Sequence, residues 1–127
     1  MARVCQRKQR HALIVGSAPS LVTGDAWLAQ LEPRVSNEIQ KTQPCVVISP
    51  LELHQHLRTV IVAPMTTGSR PAAFRVLITF KGKSSLTLLD QIRTLDKVRL
   101  VRREGAVTAI SLKLSLGVLQ AMFAPAD

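Results

Sequence analysis

Apolar residues along this chain fall into short runs, closely spaced and punctuated by proline and glycine, a rhythm that predicts strands rather than helices. Residues 25–31 (DAWLAQL) lie between Gly24 and Pro33 and read as a first strand. Residues 44–49 (PCVVIS) and 59–63 (TVIVA) are β-branched runs, each stopped by a proline, Pro50 and Pro64. Residues 74–80 (FRVLITF) alternate in part and turn at Lys81-Gly82-Lys83. Residues 86–90 and 98–102 bring the total to about six short strands, the spacing of a small barrel or sandwich. Two stretches, residues 33–42 and 51–58, read as loops. The last segment fits two periods: Ile110, Leu112, Leu114, Leu116 and Val118 alternate as in a strand, whereas Leu112, Leu116, Leu119 and Phe123 share a helical face. Length and a candidate N-cap at Thr108 favour a helix, despite Gly117.

Composition narrows what such a domain can do. The 127 residues suffice for one domain, and 46% hydrophobic content is enough to fold it. Lys and Arg number 17 against 8 Asp and Glu, a formal charge of +9 that favours polyanions or an acidic protein partner. Four bases and no acid precede Gly24 (Arg3, Arg7, Lys8, Arg10), and residues 70–113 hold 10 bases and 3 acids. Aromatic residues make up only 3%, which argues against rows of stacked bases on the surface. Two cysteines, Cys5 and Cys45, exclude a disulfide scaffold or a cysteine-built zinc site, and Cys45 reads as a small buried thiol. No apolar run approaches the roughly 18 residues of a membrane span. Residues 7–22 mimic a signal peptide, but Ser17, Pro19 and Ser20 break the apolar part. The expectation is therefore a poorly ordered basic extension over residues 1–23, a functional domain over 24–127, and a cytoplasmic location with no membrane contact.

Four blocks then occur in order: Gly24-Asp25-x-Trp27-Leu28; Glu38-Ile39-x-Lys41-Thr42-x-Pro44-Cys45-Val46-Val47-x-Ser49-Pro50; Val62-Ala63-Pro64-Met65-Thr66-Thr67; and Leu89-Asp90-Gln91-Ile92-Arg93-Thr94. Together they resemble the MazF/PemK toxins, the sequence-specific endoribonucleases of toxin–antitoxin modules, over residues 24–124. The resemblance implies a mainly β fold with a C-terminal helix, an SH3-like β-barrel of the MazF/PemK/CcdB type, assembled as a homodimer. It implies cleavage of single-stranded RNA without metal or cofactor, the ribose 2′-OH attacking phosphorus to leave a 2′,3′-cyclic phosphate and a 5′-OH. It also implies an antitoxin partner with an acidic tail.

Within that resemblance Thr66 stands where the family has its active-site hydroxyl, suited to donate to a phosphate oxygen; the alternative is a hydroxyl that caps a turn. Glu38 stands at a loop glutamate position proposed for proton transfer, or is an ordinary solvated acid. Gln43 departs from the family, which places an arginine before this proline. A neutral amide can hydrogen-bond a phosphate but neither neutralises it nor moves a proton, an exchange that typically costs about 3 kcal/mol of transition-state stabilisation. Lys41 compensates if alternation carries it to the same side. Ser36 and Ser85 replace usual glycines, and in the last helix Leu114 and Ser115 exchange outward and inward character. Asp90, with Gln91 and Arg93, reads as a substrate-positioning cluster or as a capped turn. Thr67, Arg70, Arg75, Lys81 and Lys83 read as RNA-contacting groups around the groove. His54 and His56 lack a third ligand and read as a surface loop pair; Trp27 reads as core. Two further functions stay open: a catalytically silent relative that binds RNA or antitoxin, and a gyrase-poisoning toxin of the same fold.

Overall fold

The central apolar runs are unbroken because the strands they form are buried on both faces. A computed structural model of the chain describes residues 21–31, 41–68 and 70–126. Glu38, Ser36 and the four bases of the N-terminal arm lie outside the described residues. The elements are β1 (Asp25–Ala29), β2 (Gln43–Val47), α1 (Leu51–His56), β3 (Thr59–Thr66), β4 (Arg75–Phe80), β5 (Lys83–Leu88), β6 (Arg93–Asp96), β7 (Leu100–Ala106) and α2 (Ala109–Met122). Their seven strands form one antiparallel sheet in the order β4-β5-β3-β2-β1-β7, with β6 also paired to β3. On one face of β1–β3, Trp27, Ala29, Cys45, Val47, Val60 and Val62 pack with Leu21, Leu31 and Leu95. On the other, Ala26, Val46, Ala63 and Met65 pack with Val76, Ile78 and Leu89, under Val118, Leu119 and Met122 of α2. A strand enclosed on both sides has no polar face to alternate with.

This is a mainly antiparallel β protein with one long C-terminal helix, as the residue pattern predicted. Thr108 caps α2, its Oγ1 accepting from Ser111 N–H at 3.1 Å. Ser115 is buried and Leu114 exposed, so the exchanged pair in that helix does reverse the usual sides.

Several features differ from the expectation. Pro64 does not stop β3, which runs on to Thr66. Ile48 N–H donates to Ile61 O, so Ile61 and Ala63 aim their backbone groups at β2, and Pro64 aims away from it. On that far side the β6 ladder has ended at Val62 and the β5 ladder starts at Met65, so no N–H is needed there. Residues 51–56 form α1, not a loop, and β6 is a strand that the polar sequence RTLD does not advertise. The β4–β5 turn is Lys81-Gly82 alone, Lys83 already pairing with Phe80, and β5 starts at Lys83 rather than residue 86.

His54 is buried, not on a surface loop. Its Nδ1–H donates to Leu21 O at 3.2 Å, and that leaves Nε2 to accept from Ser49 Oγ at 2.6 Å. Ser49 Oγ in turn accepts from Ile61 N–H at 3.0 Å, and Lys97 Nζ donates to the His54 carbonyl. Leu21, Thr23, α1 and β3 are thereby tied together ahead of Gly24, Thr23 Oγ1 donating to Ser49 O at 2.7 Å.

No ladder joins the terminal strands β4 and β7 among the described residues. Side chains bridge them instead: the Phe80 ring lies over Gly105, where a Cβ would meet it at 3.6 Å, and Lys81 Nζ donates to Glu104 Oε2 at 3.1 Å.

Candidate active site

The cleft of interest opens where β2 begins, β3 ends and the two ends of the sheet approach each other. Cys45 faces Pro64 across β2 and β3, so the same register continued outward sets Gln43 opposite Thr66. Thr66 also faces Leu86 of β5. The cleft, about 420 Å³, is lined by Gln43, Pro44, Thr66 and Thr67 on one side and by Phe80, Lys81, Lys83, Ser85 and Glu104 on the other, over a floor of Leu28 and Met65. Leu28, Pro44, Met65 and Phe80 give it an apolar surface, to which the two sides add hydroxyl, amide, ammonium and carboxylate groups.

Thr66 is half-buried at the strand exit, and its Oγ1 accepts from Gly68 N–H at a long 3.4 Å. The turn-capping reading and the donor reading therefore coexist: one lone pair holds the turn, and the hydroxyl proton is left to donate to a ligand in the cleft. Gln43 is exposed at the first position of β2 and presents a neutral amide. Ser85 sits within β5 in ordinary extended backbone, where serine is sterically unrestricted; positive φ among the described non-glycine residues is confined to Phe74 (67°) and Lys81 (52°).

Lys81 owes its place to the tight hairpin. With Gly82 at φ 75°, the pair turns left-handed twice, and the Lys81 side chain crosses to β7. Glu104 holds two cations, Lys81 at 3.1 Å and Arg102 at 3.1 Å on its other oxygen. Hydrogen bonds from Lys81 and then Arg102 hold its carboxyl below the usual range, so at neutral pH it is an anion that accepts and does not donate. Glu104 was missed by reading residues singly. Its signal was being the sole acid between Lys97 and Lys113.

Of the residues singled out from sequence, the structure brings Gln43, Thr66, Thr67, Lys81 and Lys83 to one cleft. Asp90 lies outside that lining, in a two-point pair with Arg75, whose Nε and Nη2 each donate at 3.2 Å. The Arg75 guanidinium holds the Asp90 carboxyl below its ordinary value. Arg93 donates to Leu31 O at 3.0 Å and so buttresses the end of β1. Lys41, Arg70 and Gln91 are exposed and away from the lining. No cluster of three or more His, Cys, Asp or Glu able to hold a metal occurs among the described residues. No helix among them is long and apolar enough to cross a membrane.

These features define a small antiparallel β protein with a cleft between strand ends that bears hydroxyl, amide and ammonium groups. Residues 23–123 match the family model described as PemK-like, MazF-like toxin of type II toxin–antitoxin system, and the chain belongs to that family. It is 30% identical over 91 residues to the endoribonuclease PemK of Escherichia coli, a match covering 68% of each chain. It is 37% identical over 83 residues to the endoribonuclease MazF of Staphylococcus epidermidis, covering 61% of this chain and 69% of that one. Its fold is shared with a mycobacterial endoribonuclease solved in complex with its cognate antitoxin, at a TM-score of 0.68, 21% identity, and coverage of 87% of this chain and 100% of the other.

Proposed function

We propose that this protein is an endoribonuclease toxin that cleaves single-stranded RNA by metal-independent attack of the 2′-OH. The observation that carries the reading is the placement of the Thr66 hydroxyl opposite Gln43, in a cleft whose far wall bears Lys81 and Lys83. A phosphodiester seated there accepts hydrogen bonds on its non-bridging oxygens from the Thr66 hydroxyl and the Gln43 amide. Glu38 takes the 2′-OH proton, the 2′-oxygen bonds to phosphorus, and the P–O5′ bond breaks. The products are a 2′,3′-cyclic phosphate and a 5′-OH, the leaving 5′-oxygen taking its proton from water. Asp90 acts one step removed: it fixes Arg75, which with Lys41, Thr67, Arg70, Gln91 and Arg93 contacts the flanking strand. Family membership and the endoribonuclease relatives support this reading over gyrase poisoning.

The finer architecture belongs to the same proposal. The sheet closes as an SH3-like barrel through the Phe80–Gly105 and Lys81–Glu104 contacts, and two copies assemble as a homodimer in the cytoplasm. Partnership with an acidic-tailed antitoxin is supported by the net charge of +9 and by the antitoxin complex of the mycobacterial neighbour.

The test is cleavage of a long unstructured RNA in EDTA by the native chain, by Thr66→Ala and by Gln43→Arg. Cyclic-phosphate fragments from the native chain, lost in Thr66→Ala, are the expected result. Cutting by Gln43→Arg alone identifies a binding protein silenced at that position. If neither the native chain nor Gln43→Arg cuts, the ribonuclease reading is wrong.

A further inference from the structure

The reaction proposed above poses a charge problem that the cleft answers in one way. A phosphodiester carries one negative charge and the phosphorane formed from it carries two, so a cation held at the non-bridging oxygens binds the transition state more tightly than the substrate. Thr66, Thr67, Gln43 and Ser85 can donate hydrogen bonds but bring no charge. Only Lys81 and Lys83 among the lining residues are cationic.

Their situations differ. Lys81 is committed: its Nζ donates to Glu104 Oε2 at 3.1 Å and lies 5.6 Å from the centre of the Phe80 ring, on a backbone already held left-handed. Its charge is opposed by that carboxylate. Lys83 makes no ion pair among those found for the described residues and is exposed at the head of β5. Strand alternation sets Lys83 on the same face as Ser85, the face whose cross-strand neighbours are Phe80 and Ile78. One step beyond Ser85 on β5, Leu86 pairs with Thr66. Leu86 is three residues, about 10 Å of strand, from Lys83 and faces the other way, so the Thr66 hydroxyl and the Lys83 ammonium address a phosphate from opposite sides of the cleft that both residues line.

We propose that Lys83 is a catalytic residue of this site: its ammonium binds the non-bridging phosphate oxygens and neutralises the charge that develops in the phosphorane. The assignment rests on the ribonuclease reading and sharpens it. It divides two lysines that sequence alone leaves equivalent, Lys81 being a structural brace and Lys83 the working charge. Glu104 has a part in this division, since it occupies Lys81 and leaves the neighbouring ammonium unopposed.

The experiment measures kcat and KM on a short RNA spanning a mapped cleavage site, in EDTA and at two salt concentrations. It compares the native chain with Gln43→Arg, Thr66→Ala, Lys83→Gln, Lys83→Arg, Lys83→Gln combined with Gln43→Arg, and Lys113→Gln, which removes an equal charge from the exposed side of α2. Thermal melting of each variant confirms the fold. The expected result is a loss of about 100-fold in kcat for Lys83→Gln with KM changed less than about threefold, as for a preorganised donor at a developing anion. Lys83→Arg retains most of the rate, the added arginine at 43 restores at least tenfold, and Lys113→Gln is unchanged. The proposal is overturned if Lys83→Gln keeps kcat within threefold while Thr66→Ala abolishes cutting, which leaves the ribonuclease reading standing. It is also overturned if the loss lies in KM and vanishes at low salt, the mark of long-range steering. Absence of cutting by both the native chain and Gln43→Arg overturns both.

Discussion

Removing the His54 side chain should destabilise the protein by about 2–4 kcal/mol, through two hydrogen bonds and a cavity. The imidazole uses both nitrogens, to Leu21 O and Ser49 Oγ, and is 5% exposed. In His54→Ala the Leu21 carbonyl loses its partner out of contact with water, whereas Ser49 Oγ keeps the Ile61 N–H donor. Each lost bond contributes about 1 kcal/mol, and the vacated ring volume supplies the remainder. The effect carries a pH signature. Burial first, then the nearby Lys97 charge, push the His54 pKa down, against the backbone bond to Leu21 and the more distant Asp25 and Glu52. The unfolded chain therefore takes up this proton first as pH falls. The stability of the native protein is complete above about pH 6.5 and declines as pH drops from there towards the lower folded value, by at most about 1.4 kcal/mol per unit. The variant lacks this decline, so its deficit is largest at pH 7.5 and narrows at pH 5.5. Urea unfolding at fixed protein concentration, followed by fluorescence of Trp27, the sole tryptophan and a member of the same core, measures it. A variant within 0.5 kcal/mol of the native protein on the ~1 kcal/mol scale of one such bond, or a deficit equal at both pH values, refutes the reasoning.

Two other positions are open to equally direct tests. Gly24→Ala should lose about 1–3 kcal/mol, because φ is 95° and the new Cβ would lie 2.9 Å from Leu112 Cδ2; an unchanged urea midpoint contradicts this. The Cys45 thiol is fully buried and its pKa is pushed up to about 12 by that burial, so at pH 8 iodoacetamide should label Cys45 only after unfolding. Peptide mass mapping separates it from Cys5, and equal labelling rates with and without urea would show the burial to be wrong.

What could be read along the chain follows from where each element finds its stabilisation. Strands β1, β2 and β3 are legible because their burial on both faces needs apolar side chains at almost every position, and α2 because Thr108 caps it by a local bond. Helix α1 is not legible. Its six residues carry two histidines and a glutamate, and what fixes it is His54 bonded to Leu21, 33 residues away in sequence. Strand β6 is hidden for the same reason, since its place comes from β3 and not from its own polar sequence. The candidate site is the extreme case. Thr66 and Gln43 could be singled out by their resemblance to a family motif, but Glu104 could not, because it joins the cleft only when Phe80 settles on Gly105 and Lys81 crosses to β7. That crossing depends on Lys81 at φ 52°, a conformation costing lysine roughly 1 kcal/mol that residue type would not suggest. Local pattern thus reports which segments are strands, while the candidate site lies where the ends of β2, β3, β4 and β7 meet. Which ends meet is decided by contacts distant in sequence, so the pairing of Lys81 with Glu104, which sets it apart from Lys83, becomes visible only in the folded chain.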